Sequence, residues 1–173
     1  MTDNNEIAEI VRPMINFGYS NSQTGEIGTI VINAKMNEFE AAMGLAMLDD
    51  MEYIISFLRK NYNLYKELLE DCVIFQRIRD GTGPNYMYVP VLFKDERTLI
   101  KVKAELNKNN IYPRRYFYPS LDMVSYVKSS YNCQISRDVS SRILCLPNYV
   151  GLDEDIIIYI SDKIKGILTN KSI

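Results

Sequence analysis

The chain has 173 residues, 47 % of them hydrophobic, and its 20 Lys and Arg against 22 Asp and Glu leave a formal charge of −2. That length allows one domain with a real core, or one plus an attached segment, and the charge balance gives no uniform field to draw in nucleic acid or an anionic membrane. Histidine is absent, which excludes histidine general-base triads, histidine metal sites and pH sensing near neutrality.

Cys72, Cys133 and Cys145 are odd in number, widely spaced and without a C-x-x-C pair, which argues against a disulfide framework or zinc ribbon and for a reducing, cytoplasmic setting. The start, MTDNNEIAEIVR, lacks a basic region followed by an apolar one. No apolar run approaches the roughly 20 residues that cross a bilayer, so the expectation is a soluble protein that is not exported.

Asp3 and Glu6 have capping-box spacing, and the stripe Ile7, Ile10, Val11, Met14 and Ile15 predicts a short helix over 4–16 that Pro13 bends or shortens. Gly18 sits where a left-handed C-cap belongs, and YSNSQTGEIG reads as a loop. From Asn37 onward Phe39, Met43, Met47, Met51, Ile54, Ile55, Leu58, Tyr62, Tyr65 and Leu69 recur at three- and four-residue steps, which predicts one long helix over 37–70. Asn37 and Glu40 form a second capping box. The cost of Gly44 inside a helix, about 1 kcal/mol relative to alanine, implies something packed closely against the first turns. Glu38 and Glu40 lie in the first turn, where the dipole favours acids, and read as capping groups rather than an acid-base pair.

CVIFQRI and YMYVPVLF read as two strands around the turn signal DGTGPN. Glu96 to Asn109 reads as a helix ending at Asn109-Asn110, IYPRRYFYPSL as an extended stretch, and SRILCLP as a short strand. Asp153 is placed to cap a last helix with the face Ile156, Ile157, Ile160, Ile164 and Ile167. Strands alternating with helices from residue 72 predict an α+β fold with helices on one face of a small sheet.

Four stretches carry a resemblance: DNNEIAEIVRPMINFG, INAKMNEFEAAMGLAML, RRYFYPSL and SSRILCLPNYVGLDEDI. In that order they resemble the C-terminal part of the DegT/StrS family of pyridoxal phosphate (PLP)-dependent aminotransferases acting on nucleotide-linked keto-sugars. The resemblance covers nearly the whole chain. It implies a tail of the large PLP domain over 1–36, a long connecting helix over 37–71, and a small C-terminal domain of the fold-type I aminotransferase kind over 72–173, with an antiparallel sheet. It also implies that the lysine forming the internal aldimine lies upstream of the matched region, so that the chain by itself is expected to be inactive and to bind no PLP. Lys35, just before a capped helix, reads as a surface or interface charge.

Asn33 matches the asparagine of the family's N-x-K/R-M motif, and the resemblance implies contact with the PLP phosphate of a neighbouring subunit. A polar side chain in the turn before a helix start suits an anion, and it suits equally a bond to its own loop backbone. Arg114, Arg115, Tyr116 and Tyr118 resemble the family's substrate-facing segment, guanidiniums for a diphosphate and rings for a base or sugar face. The other reading of Tyr116, Phe117 and Tyr118 is an edge strand packing rings into the core. Asp122 departs from the family, many members of which have a histidine there.

Two functions follow. The first is the C-terminal piece of an enzyme that moves an amino group from glutamate to a dTDP-linked 4-keto-6-deoxyhexose in polysaccharide biosynthesis, with 3-keto sugars close behind. The second is a non-catalytic module that forms a homodimer or pairs with an intact aminotransferase subunit. Single-strand nucleic-acid binding through the Arg and Tyr cluster fits poorly with a pI near 5.3. The oily faces of residues 7–15 and 39–58 mark interfaces.

Overall fold

The computed structural model describes residues 2–15, 19–21, 26–27, 34–125 and 132–169. They belong to two compact units, Met1–Asp50 and Met51–Ile173.

In the first unit, helix α1 (Asn5–Ile15) is opened by Asn4, whose side-chain oxygen accepts from the Glu6 and Ile7 amides at 2.9 and 3.2 Å. The cap is therefore Asn4 rather than Asp3, because the residue just before the first turn is the one within reach of its free N–H groups. Pro13 is accommodated two residues from the end of α1. The stretch expected as a loop holds a short antiparallel hairpin, β1 (Tyr19–Asn21) and β2 (Glu26–Ile27). The expected C-cap at Gly18 lies outside the described residues.

Helix α2 (Glu38–Asp49) opens on the expected capping box: Asn37 Oδ1 accepts from the Glu40 amide at 2.9 Å, and the Glu40 carboxylate from the Asn37 amide at 3.0 Å. The predicted single helix is interrupted at Asp50 (φ −90°, ψ −1°), after which the second unit begins with α3 (Met51–Leu69). Two successive aspartates at the negative end of a helix account for the stop, since Asp is a poor helix former and the dipole disfavours it there. Neither α1 nor α2 buries a residue, and a Cβ added at Gly44 would meet no described atom within 4 Å beyond the backbone of its own helix. The close packing that Gly44 led us to expect is not supplied by the described residues of this chain.

The second unit is built on a three-stranded antiparallel sheet, β3 (Ile74–Phe75), β4 (Val89–Leu92) and β5 (Ile143–Leu146), in the order β3-β4-β5. The register pairs Ile74 with Leu92 and Val89 with Leu146. Helices α4 (Glu96–Lys108), α5 (Gln134–Arg142) and α6 (Glu154–Thr169) complete it, with α3 and α4 both packed on α6. Strands β3 and β4 are shorter than the sequence stretches suggested, because Cys72 and Val73 lie in the turn before β3, while Gln76, Arg77, Ile78 and the start of YMYVPVLF belong to the loop between the strands. Asp95 caps α4 by accepting from the Thr98 amide at 2.8 Å, and hydrogen bonding to the Thr98 side chain first, then to its amide, holds the Asp95 carboxyl below the usual range. At the other end Asn110 takes the left-handed φ of 59°, and the Ile111 amide bonds back to the Leu106 carbonyl at 3.0 Å.

Alternation in β4 sends Val89 and Val91 into the core, where they meet Tyr65 and Leu69 of α3, Leu99, Val102 and Leu106 of α4, and Ile157, Ile160 and Ile164 of α6. Each fully buried aliphatic of that size contributes about 1.5–3 kcal/mol. Helix α5 was not legible in CQISRDVSSR, which offers only Ile135 and Val139 as apolar positions, and Ile135 is 82 % exposed. It is held by polar contacts, among them the Arg142–Asp138 pair one turn apart at 2.8 Å.

A buried amide pair fastens the loop after β5. Asn61, 1 % exposed, donates to Asn148 Oδ1 at 3.0 Å, while Asn148 donates to the carbonyls of Leu58 and Tyr86 at 3.2 and 2.8 Å. The Tyr65 hydroxyl, by contrast, is buried without a partner among the described residues, and burial pushes its pKa well up.

Tyr65→Phe removes that unpartnered hydroxyl and keeps the ring, so urea denaturation should show it equal to wild type or more stable by up to about 1–2 kcal/mol. Asn148→Ala strands Asn61 and two carbonyls and should lose about 1–3 kcal/mol in the same measurement.

Candidate functional site

The segment RRYFYPSL enters the fold as an addition to the sheet edge. Arg114 forms an antiparallel bridge with Cys145 of β5, its amide donating to the Cys145 carbonyl at 3.0 Å and its carbonyl accepting from the Cys145 amide at 2.8 Å. Fixed there, successive side chains leave on opposite sides, and the two arginines part company.

Arg114 is exposed, and its guanidinium donates to the Tyr116 hydroxyl, with the Tyr116 ring centroid 5.5 Å away. The hydrogen bond to Tyr116 raises the Arg114 pKa further, so it is a cation at any working pH. It opens on a cavity of about 290 Å³ walled by Tyr88, Tyr112 and Tyr149 and floored by Cys145 and Leu146. Burial pushes the Cys145 thiol up, which keeps it protonated and unsuited to nucleophilic work. Among the described residues Arg114 has no carboxylate partner.

Arg115 turns inward. Its side chain is 15 % exposed, pairs with Glu96 in the first turn of α4, and donates to the Ser141 carbonyl in the last turn of α5 at 2.7 Å. Its guanidinium carbon lies 3.5 Å from the Tyr118 ring centroid. Of the four residues expected to face substrate, Arg115 and Tyr118 are thus engaged with each other, while Arg114 and Tyr116 form a second pair. Tyr116 also stacks on Phe117, centroids 4.8 Å apart, and meets Tyr88 edge to face at 5.5 Å. Asn33, expected to reach a cofactor phosphate, lies outside the described residues.

The end of the segment is anchored by Asp122, in a 3₁₀ turn (Leu121–Met123). Its side chain, 4 % exposed, accepts from the Ser120 hydroxyl, from the Cys133 amide at 3.1 Å and from Arg137 Nε at 2.7 Å. Ser120 in turn is bonded to the Ser136 hydroxyl at 2.8 Å. The Ser120 bond first, then the Cys133 amide and Arg137, hold the Asp122 carboxyl below the usual carboxylate range.

Sequence reasoning missed the ring wall. Tyr112 could have been found, two residues before Arg114 in an extended stretch and hence on its side; Tyr88 and Tyr149 arrive from distant loops with no local signal. No lysine lines the Arg114 cavity or the smaller one beside Phe117 and Ser120, so the described residues there do not offer the amine that PLP chemistry requires. Among the described residues no cluster of three or more His, Cys, Asp or Glu could hold a metal, and no helix is long and apolar enough to cross a membrane.

Residues 1–165 match the DegT/DnrJ/EryC1/StrS aminotransferase family. The chain is 32 % identical over 178 residues to a dTDP-4-amino-4,6-dideoxy-D-glucose transaminase of Shigella dysenteriae, a match that covers 94 % of this chain and 46 % of the relative. An Escherichia coli protein of the same name is 34 % identical over 161 residues, covering 87 % and 43 %. The crystal structure of DesI in the presence of its TDP-sugar product superposes with a TM-score of 0.82 at 28 % identity, covering 98 % of this chain and 45 % of that one. The chain therefore spans about half the length of the relatives it matches.

The Asp122 cluster makes stability depend on pH in a defined sense. A carboxyl whose folded pKa lies below its unfolded value, near 4, stabilises fully above that value and loses the contribution as pH falls through the folded one. Thermal melts should therefore show Asp122→Asn less stable than wild type at pH 7, with the gap closing only below about pH 4.

Proposed function

The chain belongs to the DegT/DnrJ/EryC1/StrS aminotransferase family, and we propose that it supplies the substrate-facing C-terminal part of a nucleotide-sugar aminotransferase. The parent reaction transfers an amino group from glutamate to a dTDP-linked 4-keto-6-deoxyhexose, a step in polysaccharide biosynthesis. Two relatives named as transaminases of a dTDP-linked 4-amino-4,6-dideoxyglucose support that choice of sugar.

The observation that carries the reading is Arg114: an exposed cation without a carboxylate partner among the described residues, held rigidly by the sheet beside a tyrosine-walled cavity. A guanidinium in that state suits a diphosphate, and rings around it suit a base or sugar face. Tyr116 orients Arg114, while Arg115 and Tyr118 brace the segment from behind, so that contact with the substrate falls first to Arg114 and Tyr116. PLP, when bound in the whole enzyme, supplies the electron sink for amino transfer; in this reading its lysine comes from the N-terminal half, and Asn33 approaches its phosphate from the neighbouring subunit.

The partner surface is helix α2. Phe39, Met43, Leu45, Met47 and Leu48 are 90, 65, 66, 47 and 63 % exposed, and their spacing distributes them around the helix rather than along one stripe. A helix apolar on all sides is a buried helix. We read α2 as covered by a second subunit, in a homodimer or with an intact aminotransferase, and by the N-terminal half.

Co-expression with the N-terminal half of the Shigella relative should give glutamate-dependent amination of dTDP-4-keto-6-deoxyglucose that neither half shows alone. Arg114→Ala should then lower kcat/KM at least tenfold. Full activity in that variant, or none in the assembled wild type with any keto-sugar nucleotide, would overturn the assignment. The 173-residue chain mixed with PLP should develop no aldimine band and no borohydride-trapped adduct; a trapped adduct contradicts the placement of the lysine elsewhere.

A further inference from the structure

The long loop between β3 and β4 lends Tyr88 to the Arg114 cavity, and it also borders a second cavity of about 510 Å³ against α3. Two cations, Arg77 and Arg79, line this cavity, and no acidic residue does. They stand two residues apart in the chain and border the same cavity. Among the described residues neither guanidinium has an ion-pair or hydrogen-bonding partner. Elsewhere in the second unit arginine is typically engaged: Arg115 with Glu96, Arg137 with Asp122, Arg142 with Asp138.

The loop is shaped rather than loose. Thr82 bonds back to the Arg79 carbonyl at 3.2 Å across a turn in which Gly81 has φ +78°, a conformation that a side chain would strain. Asn85 accepts from the Met87 amide at 3.0 Å. The turn brings Thr82 and Gly83 to the same cavity, and Tyr88, 54 % exposed, lines both this cavity and that of Arg114. Two like charges lining one cavity without a counter-ion among the described residues favour a ligand that carries negative charge and can take up both planar forks.

We propose that the β3–β4 loop forms a separate anion site for a diphosphate group, bound by Arg77 and Arg79 with the Thr82 hydroxyl. The enclosed volume accommodates more than a single phosphate, and the concave shape suits a small molecule over a flat protein surface. The diphosphate can come from free pyrophosphate or from a nucleotide, and the site stands whether or not the aminotransferase reading does.

Calorimetric titration of the 173-residue chain with pyrophosphate at low ionic strength tests it. We expect saturable one-to-one binding, weakened at least tenfold by Arg77→Ala with Arg79→Ala, and unchanged by Arg97→Ala, which removes the same charge from an exposed position outside the cavity. Circular dichroism checks the fold, and the single Arg77→Gln and Arg79→Gln variants serve in place of the double one if it is unstable. A parallel titration with dTDP assigns the source: tighter binding than pyrophosphate through the same two arginines identifies a nucleotide, and equal affinity identifies the free diphosphate. Absence of saturation in wild type, binding in the double variant equal to wild type, or an equal loss in Arg97→Ala overturns the proposal.

Discussion

The two hydrogen bonds between Arg114 and Cys145 decide what the functional segment can do. They extend the sheet by one residue beyond β5, and the alternation of an extended chain then assigns the neighbouring arginines to opposite environments. Arg114 faces outward to a cavity of rings. Arg115 faces inward, where Glu96, the Ser141 carbonyl and the Tyr118 ring absorb its charge and hold α4, α5 and the segment together. A displacement of the bridge by one residue would exchange these roles.

Around that bridge the second unit is rigid for reasons that can be named. Val89 and Val91 meet three helices in a core without exposed members, the Asn61–Asn148 pair fastens the loop that contributes Tyr149 to the ring wall, and Asp122 locks the far end of the segment to the start of α5 through the Cys133 amide and Arg137. Where many family members have a histidine, this chain has a carboxylate paired with Arg137. That carboxylate ties two stretches of backbone with a charge that titrates far from neutrality.

The first unit is a different kind of object. Helices α1 and α2 are well capped, by Asn4 and by the Asn37–Glu40 box, yet neither buries a residue. Capping and helix propensity can form such a helix; burial of its apolar surface requires other chain. The open space beyond its own helix at Gly44 and the exposure of Phe39 support the proposal that another half or subunit covers α2, and the relatives are about twice the matched length.

By itself the sequence determined the local physics: the 3.6-residue periodicity of α3 and α6, the Asn37 capping box, the strand content around β4 and β5, the absence of histidine chemistry, and the four stretches that mark the family. It under-reported α5, whose helix rests on polar pairs rather than an apolar stripe, and it ran α2 and α3 together because periodicity continues past the aspartates that stop the backbone. What only the tertiary structure decided was which groups are spent and which are available. Arg114 and Arg115 are adjacent and identical in type, Tyr88 and Tyr149 lie far from both in the chain, and Arg77 and Arg79 look like any exposed basic pair. Long-range pairing of the backbone neutralises one arginine, gathers rings around its neighbour and leaves two more facing a shared cavity, and no local pattern encodes such pairing.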